Sequence, residues 1–210
     1  NSMKKQSLSH LLLLLSLFLV QQSLAYDFKV EGLYYNVTGA GEVEVTCDYE
    51  SGIGYSRRIH VPAEVTVHGE KYKVTAIGDG AFMNCSRLVS VNIEEGVRRI
   101  GDCAFGWCEN LSSVGLPAGL TTIGRQAFQE CTDLSSLVIP RSVVRIGAYA
   151  FCESAALTSV TLQGEAPPLL GEFAFYGLNA AAQIKVPATA FEHYKAAEEW
   201  GKLPQLVPQQ

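Results

Sequence analysis

Charge is sparse in this 210-residue chain, and what basic charge it has does not gather. Charged residues make up 18% of it and the net charge is −5. The Lys and Arg side chains are scattered rather than interleaved with aromatics, so the sequence encodes no groove for a nucleic-acid backbone. It has no nucleophile–base motif, no tightly spaced metal-ligand set and no column of carboxylates for repeated calcium sites. These absences argue against an enzyme and against any cofactor. The longest apolar run, Leu11 to Val20, is too short to span a bilayer.

That run fits a leader instead. Met3-Lys4-Lys5 gives a positive start, Leu11 to Val20 the apolar middle, and Ser23-Leu24-Ala25 a small-x-small cleavage site. Residues 1–25 are therefore expected to be a signal peptide. No cysteine stands at the cleavage point, which argues against a bacterial lipid anchor. The expectation is an exported protein, secreted, surface-held or periplasmic, with no membrane insertion after leader removal. Its acidic balance opposes nonspecific attraction to anionic lipid or nucleic acid.

What the sequence has in abundance is repetition. "IGDGAF" (Ile77 to Phe82) returns as "IGDCAF", "IGRQAF" and "IGAYAF", each 23 residues after the last. The register sets Ile77, Ile100, Ile123 and Ile146 in one column. Gly78, Gly101, Gly124 and Gly147 form the next, and Phe82, Phe105, Phe128 and Phe151 a third. Cys85, Cys108 and Cys131 share a column with Ser154. Each unit ends in an alternating stretch such as "LSSVGL", which reads as a short strand with one face inward. Pro117 and Pro140 close two of these strands, a place where proline costs no ladder bond. The I-G-x-x-A-F-x-x-C segment suits a short turn of helix or 3₁₀. Its glycine either relieves crowding or takes a positive φ.

A 23-residue unit cannot bury its own apolar face, but stacked copies bury one another's. The fold class expected is α/β, a repeat solenoid with 23-residue coils. Residues 74–189 form the solenoid, with a degenerate fifth coil over Ala166 to Ala188. Residues 26–73 form a β-rich N-terminal cap. This includes a degenerate coil marked by "IHVP" (Ile59 to Pro62) and a hairpin turning at His68-Gly69-Glu70. Residues 190–210 form a C-terminal capping helix and tail, opened by the T-x-x-E capping box Thr189 to Glu192 and ended by Gly201.

The L-x-x-V-x-L-P strand joined to I-G-x-x-A-F-x-x-C resembles the BspA-type leucine-rich repeat family. The resemblance spans about residues 59–189, and the tail "VPATAFEHYKAAEEW" is similar to the family's usual end. It implies a right-handed leucine-rich repeat solenoid whose strands line a concave sheet. It also implies export or surface location in gut and oral bacteria. Host or matrix protein binding, including adhesion, is implied from some members, and no general catalytic motif comes with it.

The surface left for function is that sheet. Its outward positions are Ser90 and Asn92, Ser113 and Gly115, Ser136 and Val138, Ser159 and Thr161, then Gln183 and Lys185. These side chains are small and nearly uncharged. A smooth strip of this kind accepts a polypeptide or a sugar chain, so the partner expected is a protein, with a glycan as the alternative. Aromatic platforms would favour the glycan, and Tyr34, Tyr35, Tyr49, Tyr55 and Tyr72 are the candidates. Arg98, Arg99, Arg141 and Arg145 form an edge group. The Cys85, Cys108 and Cys131 column is expected to point inward unpaired, since side chains parallel on neighbouring coils have poor geometry for bridging. A Cys47–His60 dyad and a metal site from His60, His68 and Asp48 are weak readings without a flanking motif.

The four phenylalanines are expected to form one buried spine. Phe128→Ala should cost about 3–5 kcal/mol, read as a lowered urea midpoint with an unchanged m-value.

Overall fold

The computed structural model describes residues 26–48 and 54–210. The expected leader, residues 1–25, and Tyr49 lie outside them. The chain begins with an antiparallel meander of β1 (Phe28–Val30), β2 (Leu33–Gly39) and β3 (Glu42–Thr46). Next come β4 (Arg57–Val61), β5 (Glu64–Val67) and β6 (Glu70–Ile77). β5 and β6 are a hairpin whose two loop residues, His68 and Gly69, both have positive φ (50° and 87°). That is the mirror-image turn whose twist matches the paired strands. β6 then runs parallel beside β3, so the meander continues into the solenoid without a seam.

Each coil contributes a long strand and a short one. The long strands are β4, β7 (Leu88–Ile93), β9 (Ser113–Gly115), β11 (Ser136–Ile139), β13 (Ser159–Leu162) and β15 (Gln183–Val186). The short ones are β8 (Arg99–Ile100), β10 (Thr122–Ile123), β12 (Arg145–Ile146) and β14 (Leu169–Leu170). The short strands extend the sheet begun by β1, β2, β3 and β6. Long strands pair in parallel as β4–β7–β9 and as β11–β13–β15, and the ladder is interrupted between β9 and β11. "IHVP" does form the strand of an additional first coil, β4.

Between short and long strand runs the segment expected to hold a short turn of helix or 3₁₀. It is a chain of hydrogen-bonded turns instead, and its amides alternate in direction. In the first 23-residue unit, Ala81, Met83 and Cys85 donate to carbonyls three residues back in the same coil. Gly80, Phe82 and Asn84 donate forward to Asp102, Ala104 and Gly106 of the next coil, at 2.7–2.9 Å. An α-helix would spend all its amides internally and offer none to a neighbour. Alternation ties coil to coil while leaving few amides unpaired.

The alternation needs two left-handed residues per coil. One column is Gly80, Cys103, Gln126, Tyr149 and Phe173; the other is Asn84, Trp107, Glu130, Glu153 and Gly177. All have φ between 53° and 75°. The repeat glycines Gly124 and Gly147 are not among them. They serve close approach: a Cβ on Gly124 would sit 2.5 Å from the carbonyl of Gly101, and one on Gly147 2.5 Å from the amide of Arg125. Crowding, not φ, is what selects that glycine column.

The phenylalanines do form a spine. Phe82, Phe105, Phe128, Phe151 and Phe175 stack with centroids 4.9, 5.0, 5.5 and 5.1 Å apart and planes within 8° of parallel. Tyr55 closes the upper end at 4.7 Å from Phe82, and Trp200 the lower end at 5.9 Å from Phe175. Each ring contact adds about 0.5–1.5 kcal/mol beyond burial.

The C-terminal cap is short: a helix α1 (Phe191–Ala196) between 3₁₀ turns at Ala188–Ala190 and Trp200–Lys202. Thr189 does not cap it. Its hydroxyl donates to Glu165 Oε2 at 2.9 Å, and Ala190 occupies the cap without a side-chain bond. The helix ends before Ala197, so Gly201 lies in the following turn rather than terminating it. Tyr194 and Trp200 anchor this end through bonds to the carbonyls of Gly164 (2.9 Å) and Pro168 (2.7 Å). The tail adds β16 (Leu206–Pro208), parallel to β15, an unforeseen strand.

Glycine therefore has opposite effects in neighbouring columns. Gly124→Ala is expected to destabilise by about 1–3 kcal/mol through backbone overlap. Glu153→Gly is expected to stabilise by about 0.5–1 kcal/mol, because a left-handed residue with a side chain is strained. Paired urea melts of the two variants check both signs.

Candidate functional site

The long strands turn alternate side chains inward, where Val91, Leu137, Val160 and Ile184 are buried. The residues between them form two outward rows. The register aligns Arg58, Ser90 and Ser113 in one row and His60, Asn92 and Gly115 in the other. Past the interruption the rows resume as Ser136, Ser159 and Gln183, and as Val138, Thr161, Lys185 and Val207. Every strip residue expected from sequence falls in these rows and is at least partly accessible. Val138 is the most open apolar one, 51% exposed.

The strip is not uniform. At its N-terminal end Asn92 Nδ2 lies 3.3 Å from His60 Nδ1, and His60 Nε2 lies 3.0 Å from Glu94 Oε1. The two contacts agree with one tautomer, Nε2–H donating and Nδ1 accepting. Asn92 Oδ1 also overhangs Gly115, where a Cβ would approach to 2.9 Å. Together with Arg58, Ser90 and Ser113 these groups rim a shallow depression of about 370 Å³. A second depression, about 710 Å³, lies at the C-terminal end between Thr161, Gln183, Lys185 and the tail residues 207–210. Between the two the surface is serine, glycine and valine. Arg58, His60 and Val207 extend the strip beyond its expected residues. The first two follow from carrying the alternation into "IHVP", whereas nothing in the tail marks β16.

The weaker chemical readings dissolve in this geometry. Both ring nitrogens of His60 face Asn92 and Glu94, so no dyad with Cys47 forms. Among the described residues no cluster of three His, Cys, Asp or Glu is placed to hold a metal. Asp79 and Asp102 bind backbone: their Oδ1 atoms accept the amides of Asp102 and Arg125, each at 2.8 Å. Arg99 of the edge group is engaged with Asp79 and Glu44. Tyr34, Tyr35 and Tyr55 are core residues, and the Tyr55 hydroxyl is spent on Thr46 and Tyr34. They offer no platform to a sugar.

All six cysteines are free. Within the column, Cys108 Sγ donates to the carbonyl of Phe82 (2.9 Å) and Cys131 Sγ to that of Phe105 (3.2 Å). Ser154 Oγ donates to Phe128 in the same way at 2.8 Å, which explains why serine fits there. Burial pushes the thiol of Cys85 up to about 11 and that of Cys131 up to about 12, and raises Cys108 as well. Such thiols are poor nucleophiles.

Sequence comparison finds the family described as BspA type Leucine rich repeat region, in six copies over residues 75–197. No curated protein matches the chain. Among solved structures, a leucine-rich repeat protein from Bacteroides capillosus is 31% identical. The match covers 65% of this chain and 98% of that one, with a TM-score of 0.58. The T. pallidum leucine-rich repeat protein is 25% identical over 87% of this chain and 83% of its own, with a TM-score of 0.65. A leucine-rich cell surface protein from Faecalibacterium prausnitzii shares the fold at 23% identity and a TM-score of 0.53. That match covers 81% of this chain and 54% of the other. Among the described residues no helix is long and apolar enough to cross a membrane.

The buried thiols set an alkaline limit on stability. They stay protonated in the fold while the unfolded chain ionises near pH 8.5, so their contribution is whole below that pH and declines as pH climbs toward 11–12. The urea midpoint is expected to be flat to pH 8 and to fall between pH 8.5 and 11. Cys108→Ser, which copies the hydroxyl of Ser154 into the column, should flatten the decline by up to about 1.4 kcal/mol per pH unit.

Proposed function

Because the chain belongs to the BspA-type leucine-rich repeat family, we propose that it is a non-enzymatic module that binds another protein through its long-strand face. One observation carries the reading: two rows of mostly small side chains, broken once between β9 and β11, stand open along the long strands, with a polar cluster at Arg58, His60 and Asn92. Such a surface lets a polypeptide lie close and leaves recognition to the rims. The proposed working place is outside the cell, at or near its surface, with adhesion to host or matrix proteins as the finer reading. The leader-like sequence of residues 1–25 supports export, and the F. prausnitzii neighbour, described as a cell surface protein, supports the location.

A protein partner is preferred to a glycan for the strip because its outward rows carry no Phe, Tyr or Trp ring. Three of the candidate tyrosines, Tyr34, Tyr35 and Tyr55, are in the core, while Tyr72 is partly accessible off the strip. Ser113→Arg with Ser136→Arg places two long cations at the middle of the strip without touching the interior. Against a panel of immobilised extracellular matrix proteins, the wild type is expected to bind at least one saturably. The double variant should lose about tenfold or more in affinity at an unchanged melting temperature. Saturable binding on a glycan array with no protein partner would overturn the reading.

A further inference from the structure

The last coil leaves part of its ladder open. In the preceding coils the turn amides at three positions donate forward, as Tyr149, Phe151 and Glu153 do to Glu172, Ala174 and Tyr176. The equivalent donors in the final coil are Phe173, Phe175 and Gly177. Among the described residues none of these three amides has an acceptor. They line a cleft of about 560 Å³ whose opposite wall is Glu199, Lys202 and residues 203–205. Trp200 already closes the ring stack over Phe175, so the cleft is not an unfinished core.

Its outer rim is aromatic. Phe173 is 54% exposed and Tyr176 59% exposed, edge-to-face at 5.9 Å, with Tyr149 stacked behind Phe173 at 5.4 Å. Phe173 holds its ring at a φ of 55°, in the column where the first 23-residue unit uses Gly80. The charge is acidic: Lys202 pairs with Glu199 (2.6 Å) and Glu198 (3.9 Å), and Glu172 makes no close ion pair among the described residues, feeling Lys202 only at longer range.

We propose that this end cleft docks a basic polypeptide segment of a partner protein. Backbone carbonyls of the segment accept from the amides of Phe173, Phe175 and Gly177, as a following coil's carbonyls would. An arginine of the segment lies flat on one ring of the perpendicular Phe173–Tyr176 pair and faces Glu172. The row of amides repeats the arrangement that accepts a following coil's backbone carbonyls, which suits a peptide backbone, and the rings with a carboxylate suit a planar cation. The cleft shares no residue with the long-strand strip, so either surface can fail alone.

A random peptide library displayed on phage, panned against the full chain, supplies the probe, and enriched sequences are then titrated as synthetic peptides. Enriched peptides are expected to carry arginine and to slow hydrogen exchange at residues 173–177. They should bind a Phe173→Gly, Tyr176→Ser variant about tenfold or more weakly. That variant keeps the fold, since glycine suits the left-handed column and Tyr176 is exposed. Glu172→Gln leaves the rings intact and is expected to weaken binding about threefold, with a shallower salt dependence. Absence of enriched peptides, enrichment without arginine, protection of residues 58–60 and 90–92 instead, or equal affinity for the ring variant would each overturn the proposal. So would concentration-dependent protection of the same amides without peptide, which assigns the cleft to a second copy. Displacement of the peptides by oligosaccharides would assign it to a glycan.

Discussion

A phenylalanine ring resting about 5 Å from the ring of the coil before it is the contact on which this molecule depends. Repeated from Phe82 to Phe175, it fixes the step between coils, and the step fixes everything hung on it. Ile100 must then lie beside Ile77, and Gly124 must pass against the carbonyl of Gly101 with no room for a Cβ. The turn amides that reach from one coil to the next are in register only at that spacing. Stacking energy, sheet pairing and backbone satisfaction are thus one constraint seen three ways. That is why 23 residues recur without error through four units while surface positions vary freely.

The same constraint decides where function can be. Interior columns are filled by Phe, Ile, Leu and Ala, and even the cysteine column is occupied by hydrogen bonding to the previous coil's carbonyls. Thiols held protonated by burial cannot do nucleophilic work. On the proposed reading, recognition falls to the outward rows of the long strands and to the C-terminal end of the stack. The strip offers reach and smoothness; the final coil offers unpaired amides and exposed rings. A stack with caps at both ends can present both surfaces because neither interrupts the core.

Legibility follows repetition. The column of Phe82, Phe105, Phe128 and Phe151 makes the spine readable, and strand alternation makes the strip readable residue by residue. The hairpin is legible from local turn chemistry, though its loop is His68-Gly69 alone and Glu70, expected in the turn, already pairs with Val67. What escapes lies at positions where residue type does not report conformation. The left-handed column holds Gly, Cys, Gln, Tyr and Phe in turn, a backbone conformation set by the repeat whatever the side chain. Thr189 looks like a helix cap but is drawn to Glu165 on the preceding coil, a tertiary contact outweighing a local motif. Phe173 and Tyr176 occupy variable positions of a degenerate coil, so nothing in the repeat singles them out. Arg58 and His60 need only the alternation carried one coil further back.

Register is best tested by deletion. Removing residues 120–142 takes out one whole coil and brings Gly119 against Val143, leaving both caps and every column intact. Removing Asp133 alone leaves the composition nearly unchanged but shifts every column after it. Urea unfolding of both variants with the wild type measures the difference. The whole-coil deletion is expected to fold cooperatively with a modest loss, and the single deletion to lose far more stability or its cooperative transition. A single-residue deletion that unfolds at or above the midpoint of the whole-coil deletion would contradict a fold held by stacked columns.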